Sequence, residues 1–319
     1  MKMARTTVSL PTPSRRSQLG SLIVRDFRRN KAVYLMALAV IAYYIVFHYI
    51  PMYGAIIAFK DYMPSRGIWG SPWVGLENFV EFFNGPYFWR IVRNTLAINV
   101  LDIVLGFPAP IILALLLNEV TSESFKRTVQ TITYMPHFVS IVVIVGMVID
   151  FLARDGLVNN ILTNFGVAPI AFLQDPRWYW FIYVVSGIWQ TFGWGSIVYL
   201  AAITMIDPAL YEAARVDGAG RFRQIWHITI PGIIPTIMLL LILRIGTVMS
   251  LGYEKTILLY NPLIYETADV ISTYVYRKGI LGSDYGYSAA VGLFNSVINF
   301  ALLLIANRMS RRFAESSLW

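Results

Sequence analysis

Two charged side chains stand inside long apolar stretches, Asp102 and Arg244, and they are the residues of this chain best placed to do chemistry. An unpaired ion at bilayer depth is costly, so such a side chain faces a partner, a cavity or the headgroups. Counted from the ends of the predicted spans given below, a rise of about 1.5 Å per residue puts Asp102 about 15 Å and Arg244 about 8 to 10 Å below the outer surface. Two arrangements fit these depths. The side chains can pair with each other, or Arg244 can point into a pathway, where its guanidinium fork matches a carboxylate bidentately. In a third use of the same residues, Asp102 would carry protons in an ion-coupled secondary transporter.

Other polar and aromatic residues sit at similar depth. Asn94, Asn99, Gln190, Thr191, Ser250, Asn295, Ser296 and Asn299 offer the hydroxyl and amide partners that a hydroxylated ligand loses on leaving water. The same groups suit hydrogen bonds between helices. Trp189, Trp194, Tyr199 and Tyr253 could present flat faces to a ring, or serve as packing and interface anchors. Gly193 and Gly195 permit close helix approach, while Pro108 and Pro110 interrupt a span, and irregular backbone at membrane depth sits beside protein or a cavity.

A different chemistry is written in Tyr211 to Pro235, a charged, helix-forming stretch between two apolar segments. Asp207-Pro208 opens it with a side-chain acceptor for orphan amides and a ring whose φ suits the first helical position. Gly218 is a natural stop. The predicted helix, about Pro208 to Asp217, carries Ala209, Leu210, Ala213 and Ala214 beside Glu212 and Arg215, a small apolar face edged by charge that suits a partner's groove.

These features need a membrane scaffold, and the composition supplies one. The chain is 57% hydrophobic and 14% charged, with mean hydropathy +0.59, far from the soluble average. Six stretches are long enough to span a bilayer: about 33 to 59, 92 to 118, 129 to 152, 179 to 203, 229 to 252 and 287 to 307, with Pro231 starting the fifth. Trp and Tyr gather near their ends, as in Trp178-Tyr179-Trp180, which suits headgroup anchoring. With both termini inside, cytosolic segments hold 16 Lys and Arg and external ones nine, Lys255 and Arg277 among the latter. That follows the positive-inside rule and explains the pI near 9.6 without a nucleic-acid partner.

The chain has no cysteine, and His48, His137 and His227 are scattered, so no metal site is expected. It lacks the G-x-x-x-x-G-K-[ST] phosphate loop, the H-E-x-x-H zinc pair and the G-x-S-x-G elbow. Were the chain to move a solute uphill, the energy would have to come from elsewhere.

Glu212-Ala213-Ala214, Gly218, Ile228 and Ile230-Pro231 stand at the spacings of a known signature: Glu-Ala-Ala, three residues, Gly, nine residues, Ile, one residue, Leu-Pro. On these residues the chain resembles the membrane-spanning permeases of ATP-binding-cassette importers, with Ile230 in place of Leu. Tyr43 to Tyr62, Ser71 to Phe79, Ala114 to Val120, Tyr134 to Ser140 and Gly193 to Ile203 look like the subgroup importing complex carbohydrates, close to the permeases of alginate-oligosaccharide importers.

The resemblance implies an all-α integral membrane protein of the type I importer permease fold, with six transmembrane helices and a cytosolic coupling helix. The expected organisation is a cytosolic tail and interfacial helix over 1–32, the helix read from apolar and basic positions alternating at helical spacing over Leu19 to Ala32, and a first helix with its external loop over 33–89. A five-helix core over 90–307 follows, with the coupling loop at 204–228, and then a tail over 308–319. It implies that Glu212, Ala213, Ala214, Arg215, Asp217, Gly218, Ile228 and Pro231 couple to a cytosolic ATPase dimer, which binds ATP and Mg; this chain needs no cofactor of its own. The other implied partners are a second, homologous permease, an external solute-binding protein, an oligosaccharide and the lipid of a bacterial inner membrane.

Overall fold

A computed structural model describes residues 29–313. The proposed interfacial stretch, Leu19 to Ala32, falls largely outside the described residues, as does half of the expected C-terminal tail, 314–319. Among the described residues there is no strand, only an isolated bridge between Lys60 and Trp73.

One compact unit ends at Ile56 and a second begins at Ile57. The described part of the first unit is helical from Lys31 and belongs to a long apolar helix, α1 (Lys31–Phe59). The second unit is built from α2 (Glu77–Asn84), α3 (Phe88–Glu119), α4 (Glu123–Phe138), α5 (Ile141–Asn164), α6 (Pro176–Thr204), α7 (Pro208–Val216), α8 (Arg221–Ile245), α9 (Tyr253–Leu259), α10 (Ile271–Val275) and α11 (Tyr285–Phe313).

Five helices, α1, α3, α6, α8 and α11, are each long and apolar enough to cross a bilayer. The third predicted span, 129 to 152, is not one straight rod: α4 and α5 meet at 102°. The cause is local. Pro136 tightens the end of α4, Val139 is extended, and the Ser140 hydroxyl accepts from the Val143 amide to start α5 afresh. The fifth span also differs from expectation. It begins at Arg221, and Pro231 lies inside it rather than starting it.

A shared device explains how proline is tolerated inside these rods. Widened turns at Ile45–Tyr49, Asp102–Gly106 and Ile225–Thr229 stand just before Pro51, Pro108 and Pro231. Proline clashes with the carbonyl four residues back and cannot donate, and a single i→i+5 turn relieves that geometry. At the second site the Phe107 amide donates to the Asp102 carbonyl at 2.9 Å.

α6 is the central post of the second unit. Ala114, Tyr199, Ile203 and Ile233 join α3, α6 and α8 at one level. Ile98, Val145, Tyr179, Val184 and Leu259 join α3, α5, α6 and α9 at another. Phe82, Ile91, Met249, Tyr274, Tyr287 and Val291 tie α2, α3, α10 and α11 together. Gly193 on α6 lies so close to the Thr133 carbonyl on α4 that a Cβ there would overlap it.

Candidate functional site

α8 ends at Ile245, and turns over 246–250 lead the chain back toward α9. Asn299 of α11 secures this break, accepting from the Met249 amide at 2.9 Å and donating to the Ser250 hydroxyl at 2.8 Å. The break leaves a cavity of about 490 Å³ between α3, α6, the end of α8 and α9. Its wall combines Asp102 and Arg244 with Asn99, Gln190, Thr191, Ser250 and Trp194.

Arg244 places Nη2 against Oδ2 of Asp102. The pair is not sealed off, since the Arg244 side chain is 46% exposed and that of Asp102 22%. A neighbouring cation joins them on the cavity wall. Lys255, counted from the sequence among the external charges, is buried at 8% exposure. Its Nζ donates to the Tyr183 carbonyl at 2.7 Å and lies 4.4 Å from the centre of the Tyr183 ring. α9 is outside the spanning helices; burial draws the Lys255 amine down to about 8, against the opposing pull of Asp102.

The remaining polar candidates do other things. Asn94 is fully buried and does not line the cavity; its amide donates to the Glu266 and Asp269 carbonyls at 2.8 and 2.9 Å, fixing the segment before α10. Trp189 borders a separate apolar hollow beside Phe181 and Val185. Tyr253 stacks on Tyr276 at 5.7 Å. Asn295 keeps a buried carbonyl oxygen without a partner among the described residues.

An ion cluster invisible in the sequence holds the segment between α9 and α10. The fully buried Asp269 carboxylate receives Arg90 at 3.0 Å and Arg277 at 2.7 Å, and accepts from Thr273 at 3.0 Å. Burial pulls the Arg277 guanidinium down, but the hydrogen bond and charge of Asp269 outweigh it and hold it above its ordinary value.

The second candidate surface is α7. The Asp207 carboxylate accepts from the Ala209 amide at 2.9 Å, Pro208 occupies the first turn, and Gly218 follows at φ +75°. Glu212, Ala213, Arg215 and Asp217 are exposed, and Ala214 is half-buried. The Tyr211 hydroxyl meets that of buried Thr229 at 3.0 Å, which ties α7 to α8 between Ile228 and Pro231. Around it Met205, Val216 and Phe222 are 86%, 88% and 79% exposed, an apolar display that marks an interaction surface.

Comparison with known proteins places the chain in a lineage. Residues 106–315 match the family model described as binding-protein-dependent transport system inner membrane component. Protein LplB of Bacillus subtilis (strain 168) is 46% identical over 293 residues, 92% of each chain. The polygalacturonan/rhamnogalacturonan transport system permease protein YteP of the same organism is 45% identical over 292 residues, 91% of each. A chain in the crystal structure of a bacterial ABC transporter involved in import of the acidic polysaccharide alginate superposes with a TM-score of 0.85 at 46% identity, covering 92% of this chain and 99% of that one. A second crystal structure of a bacterial alginate ABC transporter, in complex with an alginate pentasaccharide-bound periplasmic protein, matches with the same TM-score at 45% identity and the same coverage.

Proposed function

The chain belongs to the family of binding-protein-dependent transport system inner membrane components, and from that premise we propose that it is the permease through which an ATP-driven importer moves oligosaccharides, uronate-bearing ones included. The observation that carries this reading is α7, a short exposed helix held between two long apolar ones, with Glu212-Ala213-Ala214, Gly218, Ile228 and Pro231 in register. The sugar class is suggested by relatives whose names include polygalacturonan, rhamnogalacturonan and alginate.

Under this proposal Glu212, Ala213, Ala214 and Arg215 dock in a cytosolic ATPase, with both termini on the same side. Asp217, Gly218, Ile228 and Pro231 fix the docked angle. ATP and Mg are bound by the ATPase dimer, a second, different permease completes the pathway, and an external binding protein delivers the sugar. Asp102, Arg244, Asn99, Gln190 and Ser250 line the passage; each polar group replaces a water that a sugar hydroxyl gives up. Docked helices convey ATPase closure to the spans, so access alternates without covalent chemistry in this chain.

Purification without crosslinking tests the assembly. An ATPase subunit and a second permease should accompany the chain; a fully active single polypeptide would overturn the proposal.

A further inference from the structure

The cavity wall carries two cations and one carboxylate: Arg244, Lys255 and Asp102. Asp102 is engaged by Arg244. Lys255 is in none of the ion pairs found among the described residues, and its one recorded hydrogen bond goes to the neutral Tyr183 carbonyl. An ammonium offers three donors, and a buried charge is ordinarily paired because its desolvation is otherwise uncompensated. The local structure nonetheless makes room for it. Gly187 stands one helical turn beyond Tyr183 on α6, and a Cβ there would lie 3.2 Å from Nζ. Asn99, Gln190, Thr191 and Ser250 supply neutral partners on the same wall.

We propose that Lys255 is the residue with which this cavity reads ligand charge, its ammonium receiving a uronate carboxylate while Asp102 keeps Arg244 occupied. The proposal rests on the oligosaccharide reading above and sharpens it. The charged face of the sugar turns toward α9 and its hydroxyls toward Gln190 and Asn99. Tyr183 orients the amine through its carbonyl and ring. The preference for acidic over neutral chains then comes from one unpaired cation rather than from a general excess of positive charge.

The test is equilibrium binding to the complete complex in lipid nanodiscs, without the binding protein. The probes are α-1,4-linked trigalacturonate and its carboxyl-reduced, neutral counterpart. Wild type should prefer the acid, and Lys255→Gln should lower the acid-to-neutral affinity ratio by about tenfold or more, the scale of one charge-assisted hydrogen bond. Lys255→Arg should retain most of the ratio. Should Lys255→Gln fail to assemble, Gly187→Ala, which crowds the ammonium, should lower the same ratio. An unchanged ratio in Lys255→Gln or, in its place, Gly187→Ala, or equal loss in the Gln and Arg variants, overturns the inference alone. Wild-type complex that binds neither trimer overturns the oligosaccharide reading along with it.

Discussion

Arg244 and Asp102, 142 positions apart in the chain, meet as an ion pair on the wall of the cavity that the break after α8 opens. Arg244→Leu should leave the Asp102 carboxylate without its counter-charge and lower the thermal midpoint of the purified protein. The loss should fall below the about 3 to 5 kcal/mol typical of breaking a fully buried pair, because the Arg244 side chain is 46% exposed. Adding Asp102→Leu should recover much of it, since the second ion's desolvation is removed as well. A double variant less stable than the single one would contradict the pairing.

Helix packing gives a second expectation. Gly193 faces the backbone of Thr133, which cannot rotate away, whereas Gly195 faces the ring of Pro110, with a hypothetical Cβ at 3.2 Å. Gly193→Ala should therefore cost stability on the scale of overpacking, about 1 to 3 kcal/mol, and Gly195→Ala less. Monodispersity and thermal unfolding in detergent measure the difference. Equal behaviour would mean that α4 can move off α6 freely.

The junction behind α7 gives a third. Gly218 has φ +75°, where a β-branched side chain is strained and alanine less so. Gly218→Val should lower ATP-driven uptake more than Gly218→Ala, through a changed helix angle rather than a changed surface. Glu212→Lys with Ala213→Asp changes the surface instead: expression should stay near normal while ATPase association and uptake fall. Uptake at the wild-type rate in that variant would remove α7 from the coupling path.

How much of this was legible depends on where each signal resides. α7 could be bounded from the sequence because its start and stop are local, an acceptor and a ring at Asp207-Pro208 and a glycine at 218. The five spanning helices were readable from apolar length as well, although α8 starts at Arg221, ahead of the expected 229. The bend between α4 and α5 was not, because 129 to 152 reads as one apolar run and the Pro136 and Ser140 signals do not encode an angle. Lys255 looked like a loop cation, since what buries it is Tyr183, 72 positions away. Lys255, Thr256 and Leu259 share the buried face of α9, a helical spacing that could have flagged it. Asn94 and Asn99 are alike in sequence, yet one ties down the segment near Asp269 and the other lines the cavity. Asn94 is held by carbonyls more than 170 positions away, whereas Asn99 donates to the Thr95 carbonyl one turn back.

Under the proposed function, ATP hydrolysis on a docked partner drives passage through this chain. Uptake of a labelled uronate oligosaccharide into proteoliposomes, with binding protein on one side and ATP on the α7 side, tests it most directly. Uptake should track ATP, persist with a proton uncoupler and stop when the ATPase subunit is removed. Uptake that needs no ATP, follows an imposed proton gradient and collapses with the uncoupler would contradict it.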